Sequence, residues 1–276
     1  MKMKIKMKLG LLATVLASAS LLGGCASTTK TGTLGSERKQ FLLMPAAVYQ
    51  EQSIQAYSQI INTAKSSQKV VTNSQVNRVT ARLIPLAKLY REDSAQWKWE
   101  VNTIKSDELN AFAVAGGKIV VYTGIIEKLK LTDDELAAII GHEMAHALRE
   151  HGRERASMQM VTNLGLKYGA AAAGLGGGEQ QIAQLVTNYG LTLPNSRKHE
   201  SEADLVGLEI MARAGYNPNA AVNVWKKMAA ATGNTGKASQ FLSTHPAPVT
   251  RIEQIQKTIP TVMPHYEAYY KGKAKK

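Results

Sequence analysis

Apolar positions return every three or four residues over much of the chain, broken by a short stretch that alternates. From Ala46 to Ala64 and from Ser74 to Tyr90 the spacing predicts two scaffold helices, the second with a stripe of Val76, Val79, Leu83, Leu86 and Leu89. Trp97 to Ile104 alternates, with Trp97, Trp99, Val101 and Thr103 on one face and Lys98, Glu100 and Asn102 on the other, the pattern of a strand. Asn110–Val114 and Lys118–Thr123 are two further short strands flanking a tight turn at Gly116-Gly117. Thr132-Asp133-Asp134-Glu135 is a capping box. The helix it opens is expected to run through Ala145 to about His151, with Gly152 as its stop. A second strong helix is expected from Ser196 to Ala214, ended by Gly215, with Asn217-Pro218 capping the next. A final helix begins near Pro248 and carries Arg251, Ile252 and Ile255. The fold class is α+β, mostly α.

The two ends read differently. Residues 1–8 hold four lysines, and Leu9 to Leu22 is apolar or small throughout. This is an export signal, too short to span a bilayer. It ends in Leu22-Gly23-Gly24-Cys25, which resembles a bacterial lipobox with Cys25 as the lipidated residue. Cys25 is the only cysteine, so no internal disulfide can form. Residue 26 is Ala rather than Asp, which by resemblance to enterobacterial sorting implies the inner leaflet of the outer membrane. The expected organisation is a signal peptide over 1–24, a flexible lipidated tether over 25–39, one domain over 40–262 and a basic tail over 263–276. Residues 156–193 are Gly- and Ala-rich, expected as a mobile cover or a membrane-facing flap, or else as plain connecting helices.

Charge adds a surface property. The chain carries +13, and removing the four leader lysines leaves +9. Such a surface suits anionic lipid, or it is a solvated basic end. Nucleic acid is not an expected partner of an exported chain.

The chemistry concentrates in His142-Glu143-Met144-Ala145-His146. On a helix, positions i and i+4 share a face, so both imidazoles address one point, as two zinc ligands do. Glu143 sits about 100° round the helix, placed to act on water without binding metal. A catalytic zinc wants three protein ligands and an open position. Glu200 is the candidate third ligand, with Asp204 one turn on and able to accept from the outer N–H of a ligand histidine. His151 falls about 180° from His142 on a continuous helix and is expected in solvent. Glu202 and His199 are likewise expected at the surface. A metzincin extension would need Gly at 149 and His at 152; Arg149 and Gly152 exclude it.

His-Glu-x-x-His followed some fifty residues later by Glu-x-x-Ala-Asp resembles the gluzincin arrangement of HtpX-like and Oma-type metallopeptidases, and most closely their soluble periplasmic BepA/LoiP-like lipoprotein branch. Asn110-Ala111-Phe112-Ala113, Gly116-Gly117, Tyr122-Thr123-Gly124, Gly141 and Thr244-His245-Pro246 with Arg251 extend the likeness over about Gln40 to Ile259. The resemblance implies a mostly helical zincin fold with a short sheet beside the active-site helix, one zinc per chain, and endoproteolysis in envelope quality control. It implies that His245 and Arg251 lie close to the metal, as oxyanion donors or, for His245, as a gate on the open position. Substrate is expected to bind extended along Asn110, Ala111, Phe112, Ala113 and Val114 as an added strand. Unfolded or misassembled envelope proteins are the expected substrates. A chaperone-like assembly factor with a latent zinc site is the alternative; a cell-wall amidase would use other ligand spacings.

Overall fold

The computed structural model describes residues 25–35, 38–171, 195–233, 240–245 and 249–274. Two short strands, β1 (Cys25–Ala26) and β2 (Gln40–Phe41), pair antiparallel. Helix α1 (Ala46–Ser66), strand β3 (Val70–Val71), helix α2 (Ser74–Leu83) and, after a 3-10 turn, α3 (Ala87–Tyr90) follow. The strands β4 (Glu100–Ile104), β5 (Ala111–Val114) and β6 (Lys118–Tyr122) lead into α4 (Thr123–Leu129), α5 (Asp133–Leu148) and α6 (His151–Ala171). The chain then forms α7 (Arg197–Arg213), α8 (Ala220–Gly233), the single turn α9 (Gln240–Thr244) and α10 (Val249–Lys273).

The four-stranded sheet has the order β3-β4-β6-β5, so β5 is an edge strand. It pairs antiparallel with β6, Ala111 opposite Val121 and Ala113 opposite Ile119. Tyr122 N–H donates to Asn110 O at 3.1 Å, just beyond the ladder. Bonded pairs alternate along an antiparallel ladder, so Phe112 and Val114 bond to β6. Ala111 and Ala113 turn their backbone groups toward the free edge. The alternation expected from Trp97 yields a strand only from Glu100. Trp97 and Trp99 precede it, with ring centroids 5.5 Å apart.

Helix α5 is the centre of the core. Its Thr132 cap and Glu135 satisfy each other's backbone N–H groups as the capping box predicts. Leu136, Ile140, Met144 and Leu148 are fully buried. It packs on α7 where Gly141 meets Gly207: a Cβ on Gly207 would lie 2.7 Å from the backbone nitrogen of His142. This glycine contact brings the helix carrying His142 and His146 against the helix carrying Glu200 and Asp204. The α7 terminus is as expected, with Gly215 left-handed and Tyr216 N–H returning to Met211 O at 2.9 Å.

Three expectations change. Helix α5 ends at Leu148, because Glu150 is left-handed (φ 50°) and a new helix starts at His151; Gly152 lies inside that helix. The segment expected as a free tether docks on the domain. Thr33 donates through N and Oγ1 to the buried Glu209 (2.9 and 2.8 Å), and Lys30 N–H donates to Tyr90 O. The end expected as a tail from 263 continues α10, with Met263 and Tyr266 against the core. Of the 156–193 stretch, 156–171 belongs to α6 and the rest lies outside the described residues, as do the leader and Pro246. No helix among the described residues is long and apolar enough to cross a membrane.

Gly207→Ala should therefore push α7 off α5. An expected loss of about 1–3 kcal/mol would lower the thermal midpoint by several degrees. A midpoint within about a degree of the parent would show that the helices part without cost.

Candidate metal centre

His142 and His146 project from one face of α5, as their spacing requires, and Glu200 faces them from the first turn of α7. His142 Nε2 lies 3.0 Å from His146 Nε2 and 3.4 Å from Glu200 Oε2; His146 Nε2 lies 3.3 Å from Glu200 Oε1. His245 completes the group: its Nδ1 is 3.0 Å from Glu200 Oε1 and 3.4 Å from His142 Nε2. All four residues are buried, and their ligand atoms lie within 4.8 Å of one another. A tetrahedral zinc with ligands at about 2.0–2.1 Å needs edges of roughly 3.3 Å between them. The chemistry of the donor set, three imidazole nitrogens and a carboxylate, suits that ion, and the His142, His146 and Glu200 atoms stand 3.0–3.4 Å apart.

The electrostatics favour a cation at this point. Burial disfavours charge on Glu200, yet His142, His146 and His245 hold its carboxyl far below its ordinary value. Burial drives His146 well below 6.5, leaving it neutral. Burial and Arg251 push His142 down, but Asp204 and Glu200 outweigh them and bring it up to about 9. Asp204 Oδ1 is 3.0 Å from His142 Nδ1, so it accepts from the outer nitrogen as expected. Burial raises Glu143, whose Oε1 lies 3.4 Å from His245 Nε2; the Ala113 backbone N–H acts to lower it. The free edge of β5 thus faces Glu143.

Arg251 arrives from the first turn of α10. It grips Asp204 through Nε and Nη2 (2.5 and 2.7 Å) and pairs with Glu200 at 2.5 Å. Its guanidinium lies 3.8 Å above the Trp225 ring. These contacts orient the two carboxylates. His245 is held by Phe241, stacked at 4.5 Å, and by Asn195, whose N–H donates to Thr244 O at 2.9 Å. Asn195, Phe241 and Trp225 carry no motif and are found only in the fold.

The residues expected in solvent are buried. His151 Nδ1 is 2.8 Å from His146 Nδ1, and His151 Nε2 is 2.9 Å from Glu202 Oε2. The break at Glu150 cancels the helical phase that would have turned His151 away. His199 stacks on His151 at 4.5 Å and bonds to Glu154 at 3.1 Å. Glu202 is bound by Arg38 Nε (2.6 Å) and Arg149 Nη2 (3.1 Å). Arg38 also chelates Glu154, and Gln40 reaches the same carboxylate. Burial pushes His151 down to about 3. Burial would raise Glu202, but hydrogen bonds from His151 and Arg38 bring it down to about 2.

A carboxyl depressed on folding stabilises above its unfolded pKa of 4.5 and loses that contribution as pH falls toward 2. The metal-free protein should lose stability across that window, and Glu202→Gln should flatten its acid limb. Denaturant midpoints measured at intervals between those pH values test this; parallel limbs for parent and variant would remove Glu202 from the acid response.

Residues 71–259, more than half of the chain, match peptidase family M48. The chain is 38% identical over 189 residues to the mitochondrial metalloendopeptidase OMA1 of Schizosaccharomyces pombe, covering 68% of this chain and 53% of the relative. It therefore spans about half the length of that relative. It is 28% identical over 255 residues to the metalloprotease LoiP of Escherichia coli K12, covering 91% of this chain and 96% of LoiP. It is 25% identical over 205 residues to the beta-barrel assembly-enhancing protease of Yersinia pestis, covering 69% of this chain and 39% of the relative. With the zinc-type donor set on α5 and α7, these matches establish that the chain belongs to peptidase family M48, whose metal is zinc.

Proposed function

We propose that the protein is a zinc-dependent endopeptidase of the bacterial envelope, acting on unfolded or misassembled envelope proteins. The observation that carries this is the zinc-type donor set of His142, His146 and Glu200, with Glu143 beside it and the free edge of β5 facing that base. Full-length similarity to LoiP supports the bacterial setting. Bound zinc supplies Lewis acidity, polarising the scissile carbonyl and acidifying water. Glu143 takes the proton from the attacking water and delivers it to the leaving amine, a task suited to a carboxyl that burial has made more basic. Substrate lies extended along Asn110–Val114, using the outward backbone groups of Ala111 and Ala113, which gives affinity with little sequence preference. Asp204 orients His142, and Arg251 holds Asp204 and Glu200 in place.

His245 acts as a gate in this reading. Its Nδ1 fills the fourth corner of the donor set and its Nε2 faces Glu143, so it covers both places that an attacking water needs. Cys25 carries lipid and holds the protein at a membrane, the inner leaflet of the outer membrane being the expected one; several acyl chains are needed for stable anchoring.

Purified mature protein incubated with casein, with and without a chelator, tests the core of the proposal. Cleavage should vanish with chelation. Glu143→Gln should keep about one zinc and lose at least ~100-fold in rate, whereas Glu200→Ala should lose most of its metal. Full zinc occupancy in Glu200→Ala would remove that ligand. In the same assay His245→Ala should raise basal cleavage, and Ala113→Pro should lower turnover with zinc retained; parental rates in both would discard the gate and the added strand.

For the anchor, fractionation should place the parent with membranes and Cys25→Ser in the soluble or unprocessed pool. A parent found wholly in the soluble fraction would sink the lipid reading.

A further inference from the structure

A second cluster of buried titratable groups lies behind the metal centre, on the side of His146 away from the donor set. We infer that His151 is a positioning residue for the metal: its Nδ1 accepts a hydrogen bond from His146 Nδ1 and so fixes the tautomer in which His146 presents Nε2 to the ion. The inference rests on the reading of His146 as a zinc ligand.

The proton positions follow one another without freedom. His146 Nε2 is the nitrogen that faces the donor set, 3.0 Å from His142 Nε2 and 3.3 Å from Glu200 Oε1. A neutral imidazole that gives its Nε2 lone pair to a metal carries its proton on Nδ1. That nitrogen lies 2.8 Å from His151 Nδ1, so His151 must be the acceptor. The proton of His151 is then on Nε2, where Glu202 Oε2 stands 2.9 Å away to receive it. Arg38 and Arg149 hold Glu202 as an anion. The sequence of roles therefore runs from a fixed negative charge through one imidazole to another and ends at the metal.

The His151 ring has no room to adopt another role. It is fully buried and stacked on His199, with planes 16° apart, and Glu154 holds His199. A ring placed only to fill space would not need two in-line polar contacts of hydrogen-bond length. The left-handed Glu150 aims it: without that break His151 would leave on the opposite face of α5. Glu150 is itself held by Arg91 and Arg153, at 3.2 and 2.8 Å. Outer hydrogen bonds of this kind set ligand orientation and basicity, and losing one typically weakens metal binding about 10–100-fold.

The test compares zinc affinity of the mature protein and its variants by competition with a chromogenic chelator, beside the thermal midpoint of each metal-free protein. His151→Asn places an amide oxygen near the lost Nδ1, while His151→Gln places its amide near Nε2, where the NH2 donates to Glu202 and the Nδ1 acceptor is missing. His151→Asn should bind zinc within about threefold of the parent, and His151→Gln should fall about 10–100-fold with a metal-free midpoint like that of His151→Asn. Equal affinities for the two amides would overturn the inference. Nitrogen NMR of the imidazoles in zinc-loaded parent protein decides the case independently of any variant. His151 protonated on Nε2 and His146 on Nδ1 is the expected result, and His151 protonated on Nδ1 overturns it. His146→Ala is the control: retention of zinc there means that His146 is not a ligand, a failure of the site reading distinct from failure of the relay.

Discussion

Gly141 and Gly207 set the distance on which the metal centre depends. Backbone meets backbone at this crossing, so α5 and α7 approach more closely than side chains would allow. His142 follows Gly141 directly, and Glu200 lies two turns before Gly207. The carboxylate therefore reaches the two imidazoles without a long flexible arm. Everything else at the site is fastened to one of these two helices: Arg251 to Asp204 and Glu200 on α7, the β5 edge to Glu143 on α5.

That closeness creates a charge problem which the fold answers locally. Glu143, Glu200 and Asp204 are buried within one small region beside three histidines. Isolated buried carboxylates are costly, and Glu200 and Asp204 each have a neighbour of opposite charge. Arg251 is shared between Asp204 and Glu200 and rests on the Trp225 face, where a desolvated guanidinium gains further attraction. Glu143 is the exception, because burial raises it rather than a partner lowering it below its ordinary value. Glu200 and Asp204 are held as anions, and Glu143, the base in the proposed reaction, is the one whose affinity for a proton burial raises.

Legibility followed range. The capping box, the His142/His146 face, the Glu200/Asp204 face and the Gly215 stop are contained within one or two helical turns, and each stands where the sequence places it. What failed was extrapolation across a break. The helical phase that sends His151 to solvent assumes a continuous helix, and nothing in Arg149-Glu150-His151 signals a left-handed residue, which is glycine at most helix ends. Arg91 and Arg153 hold the Glu150 carboxylate in place, and Arg91 lies far back in the chain. Glu202 reads as a surface charge and His199 as exposed for a similar reason: their partners Arg38 and Glu154 belong to other segments. Burial of a charged residue is a tertiary property, invisible in its neighbours.

The position of Arg38 changes what the segment after Cys25 is. A Ser/Thr/Gly-rich stretch behind a lipid site reads as a spacer, whose only property is length. Here the stretch carries Thr33 to Glu209, Arg38 to Glu202 and Glu154, and Gln40 to Glu154 and the Arg149 carbonyl. Removing it would leave those three buried glutamates short of donors, two of them one hydrogen bond away from histidines behind the metal centre. The segment is thus a wall of the domain, and its Arg38 is joined to the donor set through four polar contacts in series: Arg38 to Glu202, Glu202 to His151, His151 to His146 and His146 to His142.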